Sequence, residues 1–268
     1  MIEFETKLLV EELTGVAKDT VLIEGLSFSL PVGGIHGILG PHGSGKTELC
    51  RILAGIDNFG GRISMGERKL SSDAESQKEW KKKVGYVPQN PILDPDMTVE
   101  EILELVGRLR GVSVAKRARQ SAEALKLTGL SALGRRLCVN LTASEKKKLS
   151  LAMSLLGNPD LLLLDEPVAG LEAYERRDVE EILRMLGERK TVLVFSSDYD
   201  TVASLSDTVV LLAFGEILGV DTLDGFAERL AGETVFETLR DLYASLDDVI
   251  EGDEDDLGDE EEETEDEK

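Results

Sequence analysis

Basic residues are in deficit in this 268-residue sequence. Lys and Arg total 30 against 53 Asp and Glu, a formal charge of −23. A nucleic-acid footprint needs clustered Lys and Arg to neutralise phosphates, so that class of partner is disfavoured. Cysteine is also thin: Cys50 and Cys138 cannot make a disulfide framework, which points to a reducing compartment. Long hydrophobic runs are missing, and the stretches Leu161 to Leu164 and Val209 to Phe214 fall far short of the ~20 residues that span a bilayer. Met1-Ile2-Glu3-Phe4-Glu5 has neither the basic segment nor the apolar run of a secretion signal. The expectation is a soluble, acidic, cytoplasmic protein, with length enough for one large domain or two small ones.

The acidity is uneven. Fifteen Asp and Glu against one Lys lie between Asp247 and Lys268, which carry more than half of the net charge. With one Leu and no aromatic, residues 251–268 cannot bury enough apolar surface to offset the entropy of ordering, and they read as a disordered, solubilising tail.

The remainder alternates strand and helix patterns. Leu26-Ser27-Phe28-Ser29-Leu30 has the period of a half-buried strand. Ile35 to Leu39, Leu161 to Leu164, Thr191 to Phe195 and Val209 to Phe214 are short apolar runs of the kind that build buried parallel strands. Ala173 to Arg189 spaces Val179, Ile182, Leu183 and Leu186 at helical intervals. This is an α/β pattern around a mostly parallel sheet. Pro91 to Leu156 reads instead as successive helices: a capping box at Thr98-Val-Glu-Glu101, a second helix over 113–127, and a third over 144–156.

Two motifs carry chemistry. Gly40-Pro41-His42-Gly43-Ser44-Gly45-Lys46-Thr47 follows an apolar strand, precedes a helical pattern and fits G-x-x-x-x-G-K-[ST]. Its glycines let backbone N–H groups converge on phosphates at a helix N-terminus, Lys46 adds a mobile charge, and the Thr47 hydroxyl is a Mg²⁺ ligand. The candidate nucleotide contacts run from Gly40 through Thr47 to Glu48. Leu161-Leu-Leu-Leu-Asp165-Glu166-Pro167 ends a buried strand in two acids, at the sheet edge where α/β folds bind ligands. Asp165 suits Mg²⁺ held through water, and Glu166 suits polarising the attacking water.

From about residue 2 to about 230 the chain resembles the ATP-binding subunits of ATP-binding-cassette (ABC) transporters. Besides the two phosphate motifs, Val84-Gly-Tyr-Val-Pro-Gln89 resembles the family's Q-loop. The resemblance implies a P-loop NTPase core with an antiparallel β subdomain and an inserted helical subdomain over about 91–156. Beyond the region of resemblance, residues 231–250 are expected to form a C-terminal helical extension ahead of the acidic tail. The resemblance makes Gln89 a contact of Mg²⁺ and water, and implies ATP sandwiched head to tail between two cassettes, as a homodimer or a heterodimer. Asp96-Met-Thr-Val-Glu-Glu and Leu105-Val-Gly-Arg-Leu-Arg-Gly111 look most like ATPases paired with a separate transmembrane permease subunit, often in exporters. Such a chain sits on the inner face of the cell membrane.

The departures from the family matter most. Its Leu-Ser-Gly-Gly-Gln signature is matched by Leu141-Thr142-Ala143-Ser144-Glu145, which places a Cβ at Ser144 and a negative charge at Glu145. Lys146-Lys147-Lys148 then either restore positive potential or form a solvated face. The switch histidine is replaced by Ser197, and neither His36 in a strand nor His42 in the loop can substitute for it. The adenine-stacking aromatic is matched by Ala17, and Glu172 stands where the family has Asp. The resemblance with these losses implies an ATPase that is slow, or that depends on a partner cassette. The alternative is a regulatory module in which ATP binding drives dimerisation with little hydrolysis. A soluble ABC protein of translation or DNA repair fits less well, since one cassette and no long coiled-coil insert are present.

Overall fold

The computed structural model describes residues 7–17 and 20–229, apart from the side chains of residues 16–17, 20–22 and 227–229. The extension expected over 231–250 and the tail over 251–268 lie outside the described residues, as does the side chain of Ala17.

The chain begins with two long antiparallel strands, β1 (Lys7–Ala17) and β2 (Thr20–Pro31), which bury Leu26, Phe28 and Leu30 and expose Ser27 and Ser29 between them. After β3 (Gly34–Leu39) and α1 (Lys46–Leu53), the chain returns to that sheet through β4 (Phe59–Met65) and β5 (Arg68–Leu70), giving the antiparallel order β2-β1-β4-β5. Helix α2 (Ala74–Lys83) leads into β6 (Val84–Val87). Three helices follow, α3 (Val99–Leu109), α4 (Val114–Leu127) and α5 (Ala143–Leu155), in the segment read as helical. The Thr98–Glu101 capping box opens α3 as expected.

The chain then alternates β7 (Leu161–Asp165), α6 (Ala173–Gly187), β8 (Thr191–Ser196), α7 (Tyr199–Leu205) and β9 (Thr208–Ala213). It closes with β10 (Glu216–Asp221) and α8 (Leu223–Arg229). These form a second sheet in the order β10-β9-β3-β8-β7-β6, parallel except for β10. Every residue of β7 and β8 is buried, because both faces are covered.

One core fills the space between the two sheets: Leu8, Ile23, Leu49, Leu53, Trp80, Leu163 and Phe195 belong to it. The other face packs Ile35, Leu162, Leu164, Val192 and Val194 against Val179, Ile182, Leu183 and Leu186 of α6, the four residues whose spacing marked that helix. The helical segment has its own core around Val99, Leu103, Leu125, Leu149, Ala152 and Leu156. A buried donor and a half-buried one fix the relation of these parts. The Trp80 indole Nε1 donates to the carbonyl of Leu53 at 2.7 Å, satisfying an end carbonyl of α1. The Arg110 guanidinium, just past α3, donates to Leu156 O at 2.6 Å and Val84 O at 2.9 Å, pinning the helical segment to the edge strand β6. Buried carbonyls left without such donors would each cost ~1–3 kcal/mol.

Candidate active site

The parallel order sends β3, β6, β7 and β8 to a common C-terminal edge, where both motifs meet. Past Leu39 the loop turns so closely that a Cβ on Gly40 would lie 2.2 Å from Leu212 O of the neighbouring strand β9, so only glycine fits. Gly45 caps α1 at φ 92°, a left-handed conformation that glycine adopts without strain. Pro41, Ser44 and Gly45 are buried, His42, Gly43 and Thr47 are exposed, and Glu48 is half-buried. Lys46 is 7% exposed, and its ammonium donates to Gly40 O and Pro41 O, each at 2.7 Å. The charge is thus curled over the carbonyls of its own loop, within reach of the loop's N–H face.

Asp165 ends β7 with 1% exposure, and Thr47 Oγ1 donates to its Oδ1 at 3.4 Å. Burial is the main cause that pushes the Asp165 carboxyl above its ordinary value; the Thr47 hydrogen bond opposes this and the charge of Glu166 adds to it. A hydroxyl and a carboxylate, both hard oxygen donors, beside a second carboxylate fit a dication such as Mg²⁺ that keeps several ligands from phosphate and water. Among the described residues no group of three or more His, Cys, Asp or Glu is placed to hold a metal by itself.

Glu166 follows at φ 47°, left-handed for a residue with a side chain, and it is held on all sides. Its N–H donates to Phe195 O at 2.9 Å. Its carboxylate accepts from the Ser196 hydroxyl at 2.8 Å on Oε2 and from the Ser197 N–H at 2.6 Å on Oε1. The position read as the missing histidine therefore grips Glu166 through its main chain. Ser196 was not among the sequence candidates. Its signal was a polar residue closing an otherwise apolar strand, beside the acids of β7. Ser196 is fully buried, and Ser196→Ala should release one carboxylate oxygen. The expected loss is ~1 kcal/mol of stability and roughly a tenfold drop in turnover with ATP affinity retained, read by chemical denaturation and by phosphate release.

Gln89 lies two residues past β6 on the same edge, exposed. Its carbonyl and that of Glu166 share one donor: Lys147 Nζ reaches Gln89 O at 3.4 Å and Glu166 O at 2.8 Å. Burial pulls the Lys147 ammonium below the usual lysine value, against the raising effect of Glu166 and Asp165. Lys148 pairs with Asp178 at 2.9 Å. Lys147 is thus engaged by two main-chain carbonyls, whereas Lys148 and the exposed Asp178 form a surface pair that is compatible with a solvated face.

The segment Leu141–Glu145 also differs from expectation. Thr142 caps α5 and forms a capping box with Glu145: the Glu145 carboxylate accepts from Thr142 N at 2.8 Å, and Arg136 lies 3.1 Å from it. Its charge is therefore partly neutralised rather than projected at a ligand. The helix phase set by this cap turns Ser144 inward at 5% exposure and leaves Ala143 exposed, so the added surface Cβ is Ala143's. Asp198, next to Ser197, is taken by Arg176 at 2.7 Å and Thr201 Oγ1 at 2.5 Å. His36 is buried, its Nε2 donating to Gly33 O at 2.9 Å, and burial lowers its pKa. His42 stays exposed.

A family model described as "ABC transporter" matches residues 23–169. The linearmycin resistance ATP-binding protein LnrL of Bacillus subtilis (strain 168) is 28% identical over 218 residues, 81% of this chain and 69% of that protein. The Nod factor export ATP-binding protein I of Burkholderia orbicola (strain AU 1054) is 32% identical over 234 residues, 87% of this chain and 76% of the relative. A solved ATP-binding subunit of an ABC transporter superposes with a TM-score of 0.76 at 23% identity, covering 89% of this chain and 98% of that one, and shows the same fold.

Proposed function

The chain belongs to the ABC transporter family as an ATP-binding subunit, and from that membership we propose that it drives a separate transmembrane permease, as an exporter-type ATPase whose own hydrolysis is slow. The observation that carries the reading is the convergence of Lys46, Thr47, Asp165 and Glu166 on one sheet edge, with Glu166 gripped by Ser196 and Ser197 where the family's histidine would stand.

The residues then divide the work. ATP phosphates enter the cradle of loop N–H groups between Gly40 and Thr47, and Lys46 exchanges its hold on Gly40 O and Pro41 O for phosphate oxygens. Thr47 and Asp165, joined by Gln89 from the loop past β6, would hold Mg²⁺, which when bound neutralises charge developing on the phosphates. Glu166 orients and polarises the attacking water from its fixed carboxylate. Ser197 offers a neutral hydroxyl where an imidazolium would stabilise the transition state, and the exposed Ala143 and the self-capped Glu145 make α5 a poor phosphate contact for a facing cassette. Two identical copies would therefore give two impaired sites, which favours a second cassette with an intact signature, or slow turnover.

Export is supported by relatives that are a linearmycin resistance and a Nod factor export ATP-binding protein, and membrane association follows from the proposed permease. Among the described residues no helix is long and apolar enough to cross a membrane, and the membrane path is assigned to a separate permease subunit. Ile92, three residues past Gln89 and 94% exposed, is an apolar contact beside the site for such a partner. The domain reading stands as proposed, with the cassette to about residue 230 and the helical part over 91–156. The alternative, a regulatory ATP-binding module, draws on the self-capped Thr142–Glu145 turn, and the retained Glu166 weighs against it. Affinity purification of the tagged chain from its host membrane separates the two: an integral membrane protein, with or without a second cassette, is expected to copurify, and recovery of neither contradicts the transporter reading.

A further inference from the structure

We infer that Lys147 is a positioning residue for hydrolysis, clamping the main chains of Glu166 and Gln89 to the first turns of α5. The inference deepens the proposed function and rests on it for the word hydrolysis. The clamp itself rests on geometry alone.

Lys147 stands five residues after the cap Thr142 and projects into the gap between two loops, where its ammonium meets Glu166 O at 2.8 Å and Gln89 O at 3.4 Å. An ammonium suits this place. It has three donors and no fixed plane, so one group on a flexible stem can serve carbonyls that belong to different loops. The neighbouring Lys148 goes to Asp178 instead.

Glu166 needs such a grip. A left-handed conformation in a residue with a Cβ persists only where its surroundings over-determine it. Here Phe195 O holds the N–H, Ser196 and Ser197 hold the carboxylate, and Lys147 holds the carbonyl, which also accepts from Ala169 N at 3.3 Å. Removing Lys147 leaves the side-chain anchors and the N–H bond in place but leaves the Glu166 carbonyl with Ala169 N alone and unties it from the Gln89 loop. The same ammonium fixes the loop of Gln89 relative to Glu166. The start of α5, capped by the Thr142–Glu145 box, therefore moves together with both, and a displacement at Gln89 or Glu166 is passed to that turn.

Lys147→Met and Lys147→Arg, in the full chain, test this with two readouts. In nucleotide-free protein, Lys147→Met should raise amide exchange at Ala169 and around Gln89 on the order of tenfold, with β7 and β8 and the melting temperature near wild type. With Mg-ATP, kcat should fall on the order of tenfold to a hundredfold while KM stays within about twofold. Lys147→Arg, which keeps a charged donor, should recover most of both. Wild-type exchange at both loops in Lys147→Met overturns the clamp. A parallel loss of kcat, KM and melting temperature that arginine does not repair reduces Lys147 to a merely structural residue and overturns it too. A wild-type chain that binds no Mg-ATP overturns the proposed function, and the exchange result then still decides the clamp by itself.

Discussion

Glu166→Gln is expected to lower ATP turnover on the order of 10²–10⁴-fold while leaving Mg-ATP affinity nearly unchanged. The geometry explains why the two quantities separate. The phosphate cradle is built from Gly40 to Thr47, whereas the Glu166 carboxylate is held by Ser196 and Ser197, so binding is not expected to need the Glu166 charge. Glutamine fits the same socket. Its amide oxygen can accept the Ser197 N–H, and its NH₂ then faces the Ser196 hydroxyl, which can turn to accept. The fold and the left-handed turn should survive, and only the group that polarises water is lost. Phosphate release measured beside equilibrium ATP binding checks both halves. A Glu166→Gln chain that hydrolyses at the wild-type rate would remove Glu166 from its assigned role.

Ser197→His is expected to raise turnover by roughly 10–10²-fold, a part of what a positioned acid–base group ordinarily supplies. Position 197 holds Glu166 Oε1 through its backbone N–H at 2.6 Å, a donor that every residue except proline retains. The side chain can therefore change without loosening the carboxylate. Ser197 is only half-buried, which leaves an imidazole room toward solvent. The gain should stop short of full activity, because Ala143 still presents a Cβ and Glu145 still folds back on Thr142 and Arg136. Steady-state kinetics of Ser197→His and of Ser197→Gln, which has similar bulk but cannot be protonated, separate charge from size. Equal rates for both would detach the impairment from the missing imidazole.

Much of the fold was legible because it depends on local periodicity and on motifs with a fixed spacing. The run Leu161 to Asp165 has the length and composition of a buried strand, and a G-x-x-x-x-G-K-[ST] loop is expected to follow a strand and open a helix, as this one follows β3 and opens α1. The two acids after β7 were legible for the same reason. What holds Glu166 was less so. Ser196 makes its bond across thirty residues of chain and Lys147 across nineteen, and a serine closing a strand or a lysine in a basic run has the same local pattern whether or not it makes such a bond. Helix phase accounts for Ser144. Alignment to the family's signature gave its position but not its direction, and the cap at Thr142 turned it inward while exposing Ala143. The charge at Glu145 was read correctly as a residue and incompletely as a field, since its partner Arg136 lies nine positions earlier.

The most direct test of the central claim is to measure Mg-ATP binding and phosphate release on the purified wild-type chain alone. The account expects saturable Mg-ATP binding together with turnover at or below roughly 0.1 s⁻¹, under the usual enzyme range of about 1–10³ s⁻¹. Turnover within that range by the isolated chain, abolished in Glu166→Gln, would contradict the claim that its ATP chemistry is impaired; absence of Mg-ATP binding would contradict the site itself.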